Sequence, residues 1–550
     1  MARQSSVSAF LISRIRELGV GHIFGIPGDY VLPFFDELIK DDSPVTHIGT
    51  CNELTAGYLA DGYSRVKGFG VVAVTYGPGA FNAVNAVAGA NDANVPMLLI
   101  SGAPPTTRYR QGGRMVLHHV VGGDFDASLR VFTPITAAAA RIYSTEEAVA
   151  TIDWLLRVAL DKKRPVYLEI PVDLQNAELP VPGPLSYQPP CSDETSLAMA
   201  LEEVTLAVNN SKKVGVLVGV FVDREGLQEV VEELLLKSNL PFATTFDQKA
   251  GYLEHLPNCV GFYQGAISCK AVLDATEHAD LLLTLGMPQT EFACFAQLRE
   301  DNLIELGQDC VNAYGKMRHS VYLRDILPGL ANSIVPRPEG RLEDTFPYSY
   351  TGQAPHPKEM PLTVDYMYSQ LAHFIQEDDI VTANTGAYIS LSRVRMKRGN
   401  TTAGPTNWAS LGSVFPISIG MAFAAPERRV ICVDGDGSFQ MTGMELSTLV
   451  RYKVDFLLII LNNEGYTAER VIHPDREDSY NDIQVWNYHL LPQALGGADG
   501  SNGLDVHSEV QFTKALESYE PGYGPRVVNA RVHKMDVPKF FQEMGDMLRH

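Results

Sequence analysis

The stretch Val430–Gln440, VICVDGDGSFQ, runs β-favouring residues into Asp434 and then into Gly435, Asp436, Gly437 and Ser438. A turn needs one glycine; two of them around a carboxylate leave room for a ligand to approach the backbone. Farther on, LLIILNN ends on Asn462 and Asn463, with 24 residues between Gly437 and Asn462. That interval holds one helix and a return strand, so a carboxylate and a carboxamide arrive at adjacent strand ends. Both are hard oxygen ligands suited to magnesium or calcium. A helix starting just after Gly437 presents its N-terminus to an anion. Gly-Asp-Gly alone is a common turn, and Asn-Asn is commoner still. Together, one helix apart at strand ends, they point to a metal-bridged diphosphate site.

Strands and helices must alternate to place these groups, and they do so along the whole chain. VVAVTYGPG reads as a strand ending in a glycine turn, AFNAVNAVAGANDA as a helix of small residues and VPMLLISGAP as the next strand. RVICVDGDG, MTGMELSTLVRYK and DFLLIILNNEG repeat that plan near the other end. The middle, with KKVGVLVGV and ADLLLTLGMP, has a Rossmann-like pattern without a crowd of polar residues at its strand ends. Proline-rich stretches at Asn176–Asp193 and Val335–Pro361 read as linkers. The expected fold is α/β, with three doubly wound parallel-sheet domains at residues 1–178, 194–335 and 361–550.

At this point a family is recognisable. GDGSFQMTGMELSTLVRYKVDFLLIILNNEGYT resembles the thiamine diphosphate signature. The resemblance implies that Asp436, Asn463 and the carbonyl of Gly465 bind the metal, which then holds the cofactor's diphosphate among Gly435, Gly437 and Ser438. TCNELTAGYLADGYSR resembles the family's glutamate segment. Glu53 would there hydrogen-bond a ring nitrogen of the aminopyrimidine and favour the tautomer that generates the ylid. Glu53 sits among small and apolar residues, and a buried carboxyl has its neutral form favoured. The likeness extends over essentially the whole chain. It implies a thiamine diphosphate-binding fold twice, pyrimidine-binding first and diphosphate-binding last, flanking the Rossmann-like domain. It also implies a homodimer or homotetramer, with the cofactor between two subunits.

Three further stretches are similar to the proton-handling set of the pyruvate, indolepyruvate and branched-chain 2-oxo acid decarboxylases. FGIPGDY carries Asp29, MVLHHVVGGDF carries His118 and His119, and GYTAERVIH carries Glu469. Carboxylates and imidazoles set together can donate and accept protons near neutral pH. Glu469 is expected to assist decarboxylation and protonation of the enamine, and Asp29 with the histidines to help release an aldehyde. By the same resemblance Leu411 is a wedge that bends the cofactor, and Thr75 and Thr385 contact the cofactor or the active site. Ala468 and Ile389 stand where relatives carry bulkier side chains, which leaves room for an acyl chain larger than that of pyruvate. His473 is expected to line that pocket.

The 550 residues carry a net charge of −21, which disfavours nucleic acid and anionic lipid. Seven cysteines without Cys-x-x-Cys spacing build neither a zinc site nor a disulfide framework. No apolar run approaches the roughly 20 residues that span a bilayer. SAFLISRIRELGV reads as the first helix of a domain and not as a cleaved leader, so the cytoplasm is expected. The competing readings are an acetolactate synthase-like carboligase, benzoylformate decarboxylase and a silent scaffold subunit of the same fold. A nicotinamide dehydrogenase would need Gly-x-Gly-x-x-Gly after its first strand, and FGIPGDY is not that.

Overall fold

The apolar runs pair into three large sheets in the computed structural model. It describes residues 4–109, 117–246, 249–265, 267–288, 298–338, 350, 353–405, 407–473, 478–497 and 503–548. The chain forms two compact units. One comprises Met1–Pro189, Phe415–Glu427 and Thr442–Val454; the other comprises Pro190–Val414, Arg428–Met441 and Asp455–His550. The break at Pro189 falls inside the proline-rich stretch Asn176–Asp193. Much of the second such stretch lies outside the described residues.

In the first unit six parallel strands lie in the order Thr46–Gly49, His22–Gly25, Gly70–Val74, Met97–Ala103, Val166–Pro171 and Ala138–Arg141. Val71, Val72, Leu98, Leu99 and Ile100 are fully buried, as strands covered on both faces must be. The helix Glu53–Lys67 begins at Asn52, whose side chain accepts the Thr55 N–H at 3.0 Å, and ends at Gly68 with φ +85°. It packs backbone to backbone on residues 415–424. A Cβ at Gly62 would lie 1.8 Å from the Ile417 carbonyl oxygen, and one at Gly420 would lie 1.9 Å from that of Leu59. Only glycine permits that approach at either position.

The second unit holds two sheets. One has six parallel strands in the order Thr401–Ala403, Ile380–Ala383, Val430–Gly435, Phe456–Asn462, Pro525–Arg531 and Gly503–Val506. Numbered by sequence within each sheet, this order and that of the first unit's sheet are the same: second, first, third, fourth, sixth, fifth. The likeness hinted at by the sequence is thus one of topology. The reversal between first and third strands opens a crevice at their carboxyl ends, where such folds bind ligands.

The other sheet has seven strands, in the order Cys259–Tyr263, Phe242–Thr245, Val214–Val218, Leu281–Leu285, Leu303–Leu306, Cys310–Ala313 and Lys316–His319. The strand Cys310–Ala313 runs antiparallel to both its neighbours, which the expectation of a parallel sheet did not include. The cause is local. Residues 307–309 turn the chain on one side of it, with the Gly307 N–H donating to the Cys310 carbonyl. On the other side Tyr314 and Gly315, with φ +53° and +78°, close a two-residue hairpin in place of a helical crossover.

Candidate active site

In the second unit, Asp436 opens the helix Asp436–Thr442 and Asn463 follows the strand Phe456–Asn462. The strands that deliver them pair directly, with Gly435 opposite Leu461. Asp436 is 1% exposed. Its Oδ1 accepts the Gly437 N–H at 2.8 Å and its Oδ2 accepts the Gly465 N–H at 3.2 Å. Burial raises this carboxyl to about 6, against the pull of the amides of Gly437, Glu464 and Gly465 and of the Arg470 charge. The Asn463 Oδ1 is buried without a hydrogen-bond partner. Gly465 sits at φ +138°, and a Cβ there would lie 1.9 Å from the Asn481 carbonyl oxygen.

The loop is tied down by Arg470, itself 4% exposed. Its guanidinium donates to the carbonyls of Asn463 at 3.0 Å, Glu464 at 2.9 Å and Asn481 at 3.2 Å, and pairs with Asp482 at 2.7 Å. A buried carboxylate beside an orphaned amide oxygen is an oxygen donor set that fits a hard cation. At the neighbouring strand end, Asn384 and the Gly412 N–H both donate to the Ser438 hydroxyl, the latter at 3.0 Å. Thr385 donates to Asn384 Oδ1 at 2.9 Å.

These groups surround a cavity of about 290 Å³, lined by Thr385, Leu411, Gly437, Ser438, Asn463 and Gly465 among others. Leu411 is 38% exposed, so it is not a core leucine. A second cavity of about 190 Å³ adjoins it, lined by Phe246, Ile389, Ala468, Ile472 and Phe541 among others. Thr385, Ala409, Ala468, Glu469 and Phe541 line both, so Glu469 stands at the junction. His473 does not. It is exposed, just past the helix Thr467–Ile472, and its neighbour Ile472 takes the place expected of it. The backbone leaves helical geometry at His473 (φ −121°), at the end of that helix. A larger concavity of about 980 Å³ runs past Lys212, Lys213 and Lys270 and touches none of the residues singled out by sequence.

In the first unit, Asp29 follows the strand His22–Gly25 and Thr75 follows its neighbour Gly70–Val74, at the reversal of that sheet. The Thr75 hydroxyl donates to Asp29 Oδ1 at 3.5 Å. His118 Nε2 hydrogen-bonds Asp29 Oδ2, and His119 Nδ1 is 3.8 Å from Oδ1. The Tyr30 ring stacks on His118 with centroids 4.9 Å apart. His119 has φ +64°, and its carbonyl lies over Gly77, where a Cβ would come within 2.2 Å of that oxygen. Residues 110–116, which precede the pair, lie outside the described residues. Burial pushes the Asp29 carboxyl up, but the hydrogen bond and charge of His118, the Tyr30 amide and the charge of His119 outweigh it. The net effect holds Asp29 below the usual carboxylate range.

Glu53 is the first residue of its helix and is half-buried, more open than its apolar sequence neighbours suggest. Its Oε2 accepts from Asn82 Nδ2 at 2.8 Å. Gly79 leaves space beside it; a Cβ there would lie 3.2 Å from Oε1. Asn82, Tyr30 and Arg470 are the partners that sequence reasoning missed. Asn82 carried a signal, as a carboxamide in a run of small residues, and Tyr30 and Arg470 each adjoin a residue already singled out.

Two parallel sheets of one topology, one of them with a buried oxygen donor set at its strand ends, make an α/β protein of the kind that binds ligands beyond its strand ends. Comparison with known proteins narrows the class. Residues 5–127 match the N-terminal TPP binding domain of the thiamine pyrophosphate enzymes, residues 201–310 their central domain and residues 384–530 their C-terminal TPP binding domain. The alpha-keto-acid decarboxylase of Mycobacterium leprae (strain TN) is 34% identical over 548 residues, 97% of this chain and 94% of that protein. A pyruvate decarboxylase of Aspergillus fumigatus is 31% identical over 552 residues, 97% of this chain and 95% of that protein. The chain belongs to the thiamine diphosphate-dependent 2-oxo acid decarboxylases, and it is a carboxy-lyase with thiamine diphosphate as cofactor. No helix among the described residues is long and apolar enough to cross a membrane.

Proposed function

We propose that this enzyme converts 2-oxo acids non-oxidatively to aldehyde and carbon dioxide, and that it favours side chains larger than the methyl group of pyruvate. The observation that carries the size preference is the apolar cavity of about 190 Å³ that meets the cofactor cavity at Glu469. An apolar pocket selects mainly by the apolar surface it can bury. Branched, long-chain and aromatic 2-oxo acids are the substrates proposed, with turnover in the cytoplasm. The three domains proposed to do this are residues 1–178, 194–335 and 361–550. They act in a homodimer or homotetramer that joins the pyrimidine-binding part of one subunit to the diphosphate-binding part of another.

Bound thiamine diphosphate supplies the carbon nucleophile and the electron sink for decarboxylation. Asp436, the Asn463 carboxamide and the Gly465 carbonyl would hold magnesium, and Gly435, Gly437 and Ser438 would border the diphosphate. Glu53, oriented by Asn82, would hydrogen-bond the cofactor ring. Leu411 would pack against the cofactor, and Thr75 and Thr385 would flank it. Glu469 gives and takes a proton where the two cavities meet. His118, linked to ionised Asp29, and His119 handle the proton that accompanies aldehyde release. The tandem histidines favour protonation over carbon–carbon bond formation, so carboligation is a side activity.

The test is release of carbon dioxide and aldehyde from a panel of 2-oxo acids, with magnesium and thiamine diphosphate added. Larger kcat/KM on six-carbon and aromatic acids than on pyruvate is expected. A preference for pyruvate would defeat the size assignment.

A further inference from the structure

Gln264 follows the strand Cys259–Tyr263 of the central sheet, and its backbone N–H donates to Ser268 Oγ at 2.7 Å. The residue borders the cavity of about 190 Å³ together with Phe246, Ile267, Ile389 and Phe541. Gln264 is 6% exposed, and its carboxamide oxygen is buried with no hydrogen-bond partner. Buried polar side-chain atoms in folded proteins nearly always have a partner, so an orphan on a residue that borders a cavity is one that a ligand atom can complete. Among the described residues, and apart from Thr385 and Glu469, the rest of the lining is hydrocarbon or thioether, including Met544 and Met547 of the final helix. Among them one amide residue thus interrupts an apolar wall, in the space proposed above for the acyl side chain.

We infer that Gln264 is a specificity residue that takes a hydrogen bond from a donor at the far end of the substrate's side chain. The substrate class it selects is an aromatic 2-oxo acid bearing a ring hydroxyl or ring N–H. Size agrees: a cavity of about 150 Å³ admits a benzene ring, and this one is about 190 Å³. Chemistry agrees as well. A phenylalanine face and methionine sulfurs suit an aromatic body, and a carboxamide offers both acceptor and donors to a hydroxyl. A purely aliphatic acid would leave the amide unpaired and desolvated, and sites built to meet a substrate hydroxyl discriminate strongly against analogues that lack it.

This inference rests on the larger-substrate reading. It is tested on the holoenzyme with 4-hydroxyphenylpyruvate and phenylpyruvate, which differ by one hydroxyl. The expected result is a kcat/KM about tenfold or more in favour of the hydroxylated acid, falling to near parity in Gln264→Leu. Gln264→Met, unbranched and closer in shape, gives the same ratio if the leucine variant melts early. A general loss of packing would lower both acids alike and leave their ratio intact. Equal use of the two acids by the unaltered enzyme, or a preference that survives both substitutions, overturns the role of Gln264 and leaves the size reading standing. Turnover of pyruvate with neither aromatic acid used overturns both.

Discussion

Glu53 and Asn82 are joined by a 2.8 Å hydrogen bond, carboxylate Oε2 to carboxamide Nδ2, at the start of the helix Glu53–Lys67. The bond leaves Oε1 facing the gap beside Gly79. One oxygen is held, and the other is left free for the ring nitrogen that the proposed role requires. Glu53→Gln keeps the shape and removes the charge. It is expected to lower kcat by about 100-fold or more, with a melting temperature close to that of the parent. Asn82→Ala, which only frees the carboxylate, should cost less. Carbon dioxide release and thermal melts measure both. A Glu53→Gln enzyme that keeps most of its rate would show that this acid does not engage the cofactor.

Asp436 was legible from the sequence because strand period, glycine placement and the 24-residue interval to Asn462 all point to the same strand end. The shared topology of the outer sheets was legible for a similar reason, since each repeats a strand–turn–helix unit. Contacts that depend on distant chain were not. Nothing in the periodicity of residues 415–427 assigns them to the first unit; their place follows from Gly62 and Gly420, whose missing side chains admit neighbouring backbones. Nor does any local pattern bring Gln264 to a cavity lined mostly by residues more than a hundred positions away. The His473 expectation missed by one residue, because the chain leaves helical geometry just where that side chain begins to point outward.

Asp436 also sets a pH dependence. Burial raises its carboxyl to about 6, so in the cofactor-free protein it holds a proton below that value and is an anion above it. A divalent cation needs the anion, and its binding must release that proton. Affinity for magnesium and thiamine diphosphate is therefore expected to be weak below pH 6, to climb through that value and to level off above it. Asp436→Asn should flatten the climb and bind poorly at every pH. Equilibrium titration of the apoenzyme between pH 5 and 8, about the usual titration window, checks this without turnover. An affinity independent of pH would remove Asp436 from the metal.

Glu469 lies at the meeting of the two cavities and outside the loop that Arg470 ties to Asn463 and Glu464. Its role is thus separable from metal binding. Glu469→Gln is expected to slow kcat by about 10²–10³-fold while the cofactor stays bound, as followed by dialysis and by cofactor content. Loss of cofactor with the rate would instead make Glu469 a structural residue of the diphosphate site.

Ala468 lines both cavities, beside Glu469, and Ile389 lines the one proposed for larger substrates. Filling that space should act on substrate choice before it acts on chemistry. Each methylene lost from or forced into an apolar pocket changes discrimination by about 10–200-fold, and a methyl side chain leaves phenylalanine nowhere to go but into the cavity. Ala468→Phe is expected to cut kcat/KM for phenylpyruvate and for six-carbon acids far more than for pyruvate, which needs none of the space. The change should appear mainly in KM if the side chain is bound equally in ground and transition states. If Ala468→Phe slows all acids by one factor, the cavity is not where the acyl chain goes, and substrate size must be set elsewhere.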